Sequence, residues 1–251
     1  MKKLTIIITL LFVAQFILAD TFEIDRKEFL LRVTGWTAIN LSNNYLDNNL
    51  VSKPSVIELA KLDSDEINWL DQIALVDYSF ELKEMSNYTA YFNLATASWL
   101  SYHNPGFREN LLVFAEILLT QDAIGKWTKT FSGRYRPFVY GDTVTLEKKQ
   151  QKNSQSSFYS LHTSSTFSAA TFGYYLHYQN HGHSWLYGTL LYGSAAATAS
   201  LRVASAQHFP TDVISGAIIG STVSYLICKS YQQDKVHVNV SHNSLGIGFN
   251  F

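Results

Sequence analysis

Three short polar clusters interrupt the C-terminal half of this 251-residue chain, and each combines residue types that can hold or attack an anion. The first is Lys129-Thr-Phe-Ser-Gly-Arg134-Tyr-Arg136-Pro137. It closes an amphipathic stretch with three cations and a proline; taken alone, it also reads as a cationic complement to the negative end of a helix dipole. The second, Ser157-Phe-Tyr159-Ser160-Leu161-His162, sets hydroxyls and an imidazole at a helix start. Free N–H groups there suit an anion, and ordinary N-capping explains the same residues. The third runs Ser200-Leu201-Arg202-Val-Ala-Ser-Ala-Gln207-His208-Phe-Pro210-Thr-Asp212. Pro210 suits a first helical position, which leaves His208 just outside the helix and Asp212 in its first turn, able to reach back to the imidazole. An imidazole held at one nitrogen presents the other as an oriented base or nucleophile. Arg202 stands in an apolar stretch, where an isolated guanidinium is costly to bury and an anionic ligand would relieve it.

The elements that must position these clusters follow from composition and pattern. Charged residues make up 16% of the chain and hydrophobic ones 47%, a charged share well under the roughly 25% of soluble globular proteins. Between Asn153 and Cys228 the only formally charged side chains are Arg202 and Asp212. The 19 basic and 20 acidic residues nearly cancel, so the totals carry no footprint for a nucleic-acid partner. Helical stretches are predicted at 67–84, 88–102 and 109–131, with His103-Asn-Pro105-Gly106 turning between the last two. Asp63 to Asp71 reads as a capped helix start or, alternatively, an acidic metal loop, and residues 20–70 as a whole are mixed and Asn-rich.

Three apolar stretches at 162–179, 185–205 and 209–229 are rich in small residues that allow close helix packing, and each is near the length that spans a bilayer. Period-two alternation in 235–240 and 245–251 predicts a terminal β-hairpin. Lys2-Lys3 followed by an apolar run to Ala19 reads as an export signal or a retained anchor over residues 1–19, placing the protein in the periplasm or cell-envelope membrane with an extracytoplasmic site. The organisation is then one domain: a helical part at 20–108, a catalytic core at 109–230 and the hairpin tail at 231–251. Cys228, the single cysteine, reads as a buried thiol. His181-Gly-His183 reads as a surface turn, and His103, His177, His237 and His242 lack partners identifiable in the sequence. The 15 Tyr, 16 Phe and 5 Trp fit either a core or a lipid-facing belt.

Taken together, Lys129-x6-Arg136-Pro137, Ser160-x-His162 and Arg202-x5-His208-x3-Asp212 resemble the three-part signature of the type 2 phosphatidic acid phosphatase and vanadium haloperoxidase superfamily. Order and internal spacings match, and the resemblance covers about 110–230. It implies an all-α antiparallel bundle that hydrolyses phosphomonoesters or pyrophosphates without a metal or other cofactor. It further implies His208 as the nucleophile, Asp212 as its orienting carboxylate and His162 as the acid for the leaving oxygen. Lys129, Arg136, Arg202, Ser160 and the backbone N–H of Leu161 would hold the phosphoryl oxygens. The chain departs from the signature at Tyr159 and Leu161, where Pro and Gly are usual, and at Leu201, where Ser is usual. A side chain at 161 threatens to crowd the phosphate.

The sequence thus reads as an exported or membrane-associated phosphatase of lipid phosphates, isoprenoid pyrophosphates or small phosphomonoesters, either a compact periplasmic bundle or a membrane-embedded one. Two alternatives stand beside it: a vanadate-dependent haloperoxidase, because the same cations bind vanadate, and a non-catalytic phosphate- or lipid-binding envelope protein.

Overall fold

The structure is a computed structural model, and it describes residues 21–232, 236–241 and 244–249. The expected export segment at 1–19 lies outside the described residues. The described residues form six long helices: α1 Arg26–Leu50, α3 Phe80–His103, α4 Phe107–Ser132, α6 Leu161–His181, α7 Trp185–Ala204 and α8 Pro210–Ser230. Two four-residue helices, α2 Val56–Leu59 and α5 Leu146–Lys149, punctuate the connections. After α8, strands β1 Val236–Ser241 and β2 Ser244–Phe249 pair antiparallel, with Val236 opposite Phe249 and Ser241 opposite Ser244.

Helix α6 is the axis of the bundle and packs against α3, α4, α7 and α8. Its contact with α8 is made through backbone. A Cβ on Gly220 would collide with the Ser164 carbonyl, so only glycine admits this approach. Side-chain hydroxyls then reach across to the facing backbone: Ser168 donates to the Gly220 carbonyl at 2.9 Å, and Ser224 to the Ser168 carbonyl at 2.9 Å. This is how a charge-poor stretch satisfies its polar atoms inside a dry core. The apolar core gathers Leu100, Val113, Phe114, Ile117, Phe172, Leu176, Ala195 and Cys228, all buried. Burial pushes the Cys228 thiol up, as expected for an inert cysteine.

Two expectations are corrected. The helix predicted at 88–102 is present within α3, which starts at Phe80 behind the Ser79 cap and runs to His103, but the one predicted at 67–84 is absent up to Ser79. Between α2 and α3 lie the 3₁₀ turns Ser64–Glu66 and Asp71–Ala74. The cause is local competition, because the Asn68 side chain accepts from the Leu70 and Asp71 N–H groups and diverts them from a helix. Conversely, the stretch read only as mixed contains α1, capped by Asp25. That helix docks on α4 through amides, with Asn43 donating to Thr130 Oγ1 at 2.9 Å and Asn40 to the Leu119 carbonyl at 3.3 Å. Such contacts leave little apolar periodicity to read.

Candidate active site

All three polar clusters meet at one end of the bundle. Lys129 stands on the last turn of α4, whose chain then leaves the helix at Gly133 with φ 53°. Arg136 precedes the 3₁₀ turn Pro137–Val139, and its N–H is fixed on the Ser154 carbonyl at 2.8 Å. Ser160 caps α6, so Leu161 and His162 occupy the first helical positions. Arg202 ends α7, and Pro210 starts α8 with Asp212 in its first turn.

His208 is 1% exposed. Its Nδ1 lies 2.8 Å from the Ser157 carbonyl oxygen. A carbonyl only accepts, so Nδ1 carries the proton and Nε2 keeps its lone pair, the state a nucleophile requires. Nε2 faces the site, 3.5 Å from Arg136 Nη1. Burial, then Arg136, Arg202 and Lys129, hold the imidazole well below its usual pKa, which keeps it neutral.

Asp212, the implied orienting carboxylate, lies within ion-pair distance of His208. The carboxylate sits 3.7 Å from Nδ1, whose shorter contact is with the Ser157 carbonyl. Asp212 Oδ2 accepts from Ser157 Oγ at 2.6 Å and from the Phe209 N–H at 2.9 Å. It therefore fixes the residues on either side of the imidazole.

Among the described residues the two buried arginines find only uncharged acceptors. Arg136 donates from Nε to the Asn153 carbonyl at 2.9 Å and from Nη1 to Gln207 Oε1 at 2.9 Å. Arg202, 3% exposed, donates to Ser86 Oγ at 3.1 Å and to Gln207 Oε1 at 3.5 Å; its Nε is buried without a partner among the described residues. Burial lowers Arg136 to about 10, and burial with Arg136 nearby lowers Arg202 to about 9. Burial and the same two arginines bring Lys129 to about 7. His162 falls to about 3 through burial, then Arg202, Lys129 and Arg136. Each of these groups is destabilised in its charged form, and an anion among them would reverse the shift.

Ser160 is differently engaged from the simple expectation of a phosphate ligand. Its Oγ accepts from the Thr163 N–H at 3.4 Å and from Thr163 Oγ1 at 3.0 Å, so only its own proton is left to give to an anion.

The sequence reading missed four residues that the structure brings to the site. Ser157 and Gln207 lie inside the quoted clusters, but their contacts are tertiary. Arg134, read as a helix-end cation, reaches Asp212 Oδ1 at 2.5 Å and Asp71 Oδ2 at 2.6 Å, and its guanidinium lies 4.3 Å from the centre of the Phe209 ring. Asp71, read as part of a helix start, is fully buried and also accepts from the Thr211 N–H at 2.9 Å. Three other histidines are engaged elsewhere: His103 bonds the Trp99 carbonyl, His177 stacks on Tyr187 and His183 bonds Tyr174.

The Lys129 shift sets an expected result. Sulfate does not itself titrate near neutrality, so its binding should draw a proton onto Lys129 in the window above about pH 7, where the empty site holds the amine largely neutral. At pH 8 calorimetry in buffers of different ionisation heat should register uptake of about one proton per sulfate. Lys129→Met should abolish that uptake, and buffer-independent heats in the unmodified protein would contradict the assignment.

A family model described as the PAP2 superfamily matches residues 110–235, which contain all three clusters. No curated protein and no solved structure matches the chain.

Proposed function

The chain belongs to the PAP2 superfamily, and from that premise we propose that it is a metal-independent phosphatase working through a phosphohistidine. The observation that carries this reading is the pair of buried guanidiniums, Arg136 and Arg202, whose partners are uncharged oxygens, beside the lone pair of His208 Nε2. Charge of this kind is stable only with an anion. Phosphoryl transfer spreads negative charge over equatorial oxygens, and three preorganised cations can stabilise it.

In the proposed reaction, His208 Nε2 attacks phosphorus and the bond to the leaving oxygen breaks. The leaving oxygen takes its proton from His162, whose pKa is raised by the bound phosphate. Water then attacks the phosphohistidine and gives its proton back to His162. Inorganic phosphate leaves and His208 is neutral again. Lys129, Arg136 and Arg202 hold the phosphoryl oxygens, with Ser160 Oγ and the Leu161 N–H adding hydrogen bonds.

The surroundings support a substrate class. Large apolar side chains are exposed along α3 (Tyr88, Tyr91, Phe92, Trp99), α7 (Trp185, Leu186, Leu190) and α8 (Ile214, Ile218, Leu226). Helix α8 is long and apolar enough to cross a membrane, though a core helix passes the same test. These faces support association with a lipid surface and hence a lipid phosphate or isoprenoid pyrophosphate, with small phosphomonoesters accepted. Extracytoplasmic placement rests on the pattern of residues 1–19.

Hydrolysis of p-nitrophenyl phosphate should persist in excess EDTA and be inhibited by orthovanadate. Loss of turnover on chelation would overturn metal independence. Bromide oxidation by vanadate-loaded protein with peroxide would favour the haloperoxidase alternative, and saturable phosphate binding without turnover would favour a binding protein.

A further inference from the structure

Leu161 brings an isobutyl group to a position where a side chain threatens the phosphate. The structure places that group elsewhere. Gly125 lies on α4 one turn before Lys129, and a Cβ built on it would sit 2.7 Å from Leu161 Cδ1 and 3.4 Å from Tyr159 Oη. The Leu161 side chain therefore occupies the notch that Gly125 leaves in α4. Within a helix, glycine costs about 1 kcal/mol relative to alanine, so the notch exists against local preference. The Leu161 N–H, at the first position of α6, has no acceptor among the described residues, since the Ser160 cap is taken by Thr163 and the Ser160 carbonyl by the Ser164 N–H.

We propose that Gly125 is a positioning residue for the anion site: it draws the Leu161 side chain against α4 and so leaves the Leu161 N–H open to a phosphoryl oxygen. This rests on the phosphatase reading of the site and deepens it. Gly125 and Leu161 then form a matched pair. Side chains at both positions together close the approach, and the departure from glycine at 161 is tolerated because its neighbour on α4 is glycine.

Gly125→Ala tests the pair. The nearest atom it meets is the far end of a flexible side chain, so the fold can accommodate it by turning Leu161 out of the notch. Its thermal midpoint should match or exceed that of the unmodified protein, while affinity for inorganic phosphate and kcat/KM should each fall about tenfold, part of what removing an oxyanion donor costs. Gly125→Ala with Leu161→Gly should recover both. Unchanged phosphate affinity in Gly125→Ala, or no recovery in the double variant, would overturn the pairing. If Gly125→Ala loses its helical circular dichroism, Leu161→Phe overfills the notch from the opposite side and should weaken phosphate binding similarly; unweakened binding would again overturn it. Absence of turnover in the unmodified protein would sink the phosphatase reading, and calorimetric phosphate titrations of the same variants would still decide the role of Gly125.

Discussion

His208→Ala is expected to lower kcat by about 10⁴-fold or more, the scale on which an enzyme loses rate when its nucleophile is removed, with the helical signal and phosphate binding retained. The imidazole holds its Nδ1 proton on the Ser157 carbonyl, so the ring is locked with a lone pair on Nε2, next to Arg136. Neither Asp212 nor His162 can replace it. Asp212 is committed to Ser157, Phe209 and Arg134. Rapid acid-free quenching of the unmodified enzyme with labelled substrate should trap an alkali-stable phosphoprotein that the variant lacks. A fall of only about tenfold would mean that water attacks phosphorus directly, and the phosphohistidine step would have to be abandoned. His162→Ala should instead slow leaving-group departure, with an effect that shrinks as the leaving alcohol becomes more acidic.

The parts legible in the sequence were those written in short-range pattern. The apolar stretches read at 162–179, 185–205 and 209–229 match helices α6, α7 and α8 within two residues at each end, with the Ser157–His162 cluster and Pro210 marking the first and last starts. The three clusters were visible because each places its chemistry within one helix boundary. What escaped was tertiary. Helix α1 buries Asn40 and Asn43 against α4, so its contact face is polar and gives no apolar stripe. Asp71 sits in an acidic run that local rules assign to a helix start, yet its carboxylate is spent 140 residues away on Thr211. The crowding inferred at Leu161 was also a local inference, made without knowing that Gly125 faces it.

Arg134→Met should cost about 3 kcal/mol of stability at pH 7, measured by urea unfolding, because breaking a buried ion pair strands the charge left behind. Here one cation serves two such charges: Asp71 and Asp212 side chains are each 0% exposed, and Arg134 is 26% exposed, which keeps the figure at the lower end of the range for fully buried pairs. The pH dependence fixes the sign. Despite burial, hydrogen bonds from Thr211 and Arg134 hold Asp71 below its ordinary value, so it stabilises the fold above its unfolded pKa and that contribution is lost as pH falls through the lower, folded one. Without Arg134 the buried carboxylates are pushed up, and their penalty applies only where they are ionised. The stability difference between variant and parent should therefore be greatest near neutrality and shrink as the medium becomes acidic enough to protonate both groups. Asp71→Asn added to Arg134→Met should return part of the loss by removing one stranded charge. A difference below about 1 kcal/mol, the value of a surface pair, or one that does not change with pH, would contradict this account. Asp71 lies outside residues 110–235 and Asp212 inside them, so the pair joined by Arg134 ties the N-terminal part of the chain to the start of α8. Through the Thr211 N–H, the same carboxylate anchors the turn that carries His208.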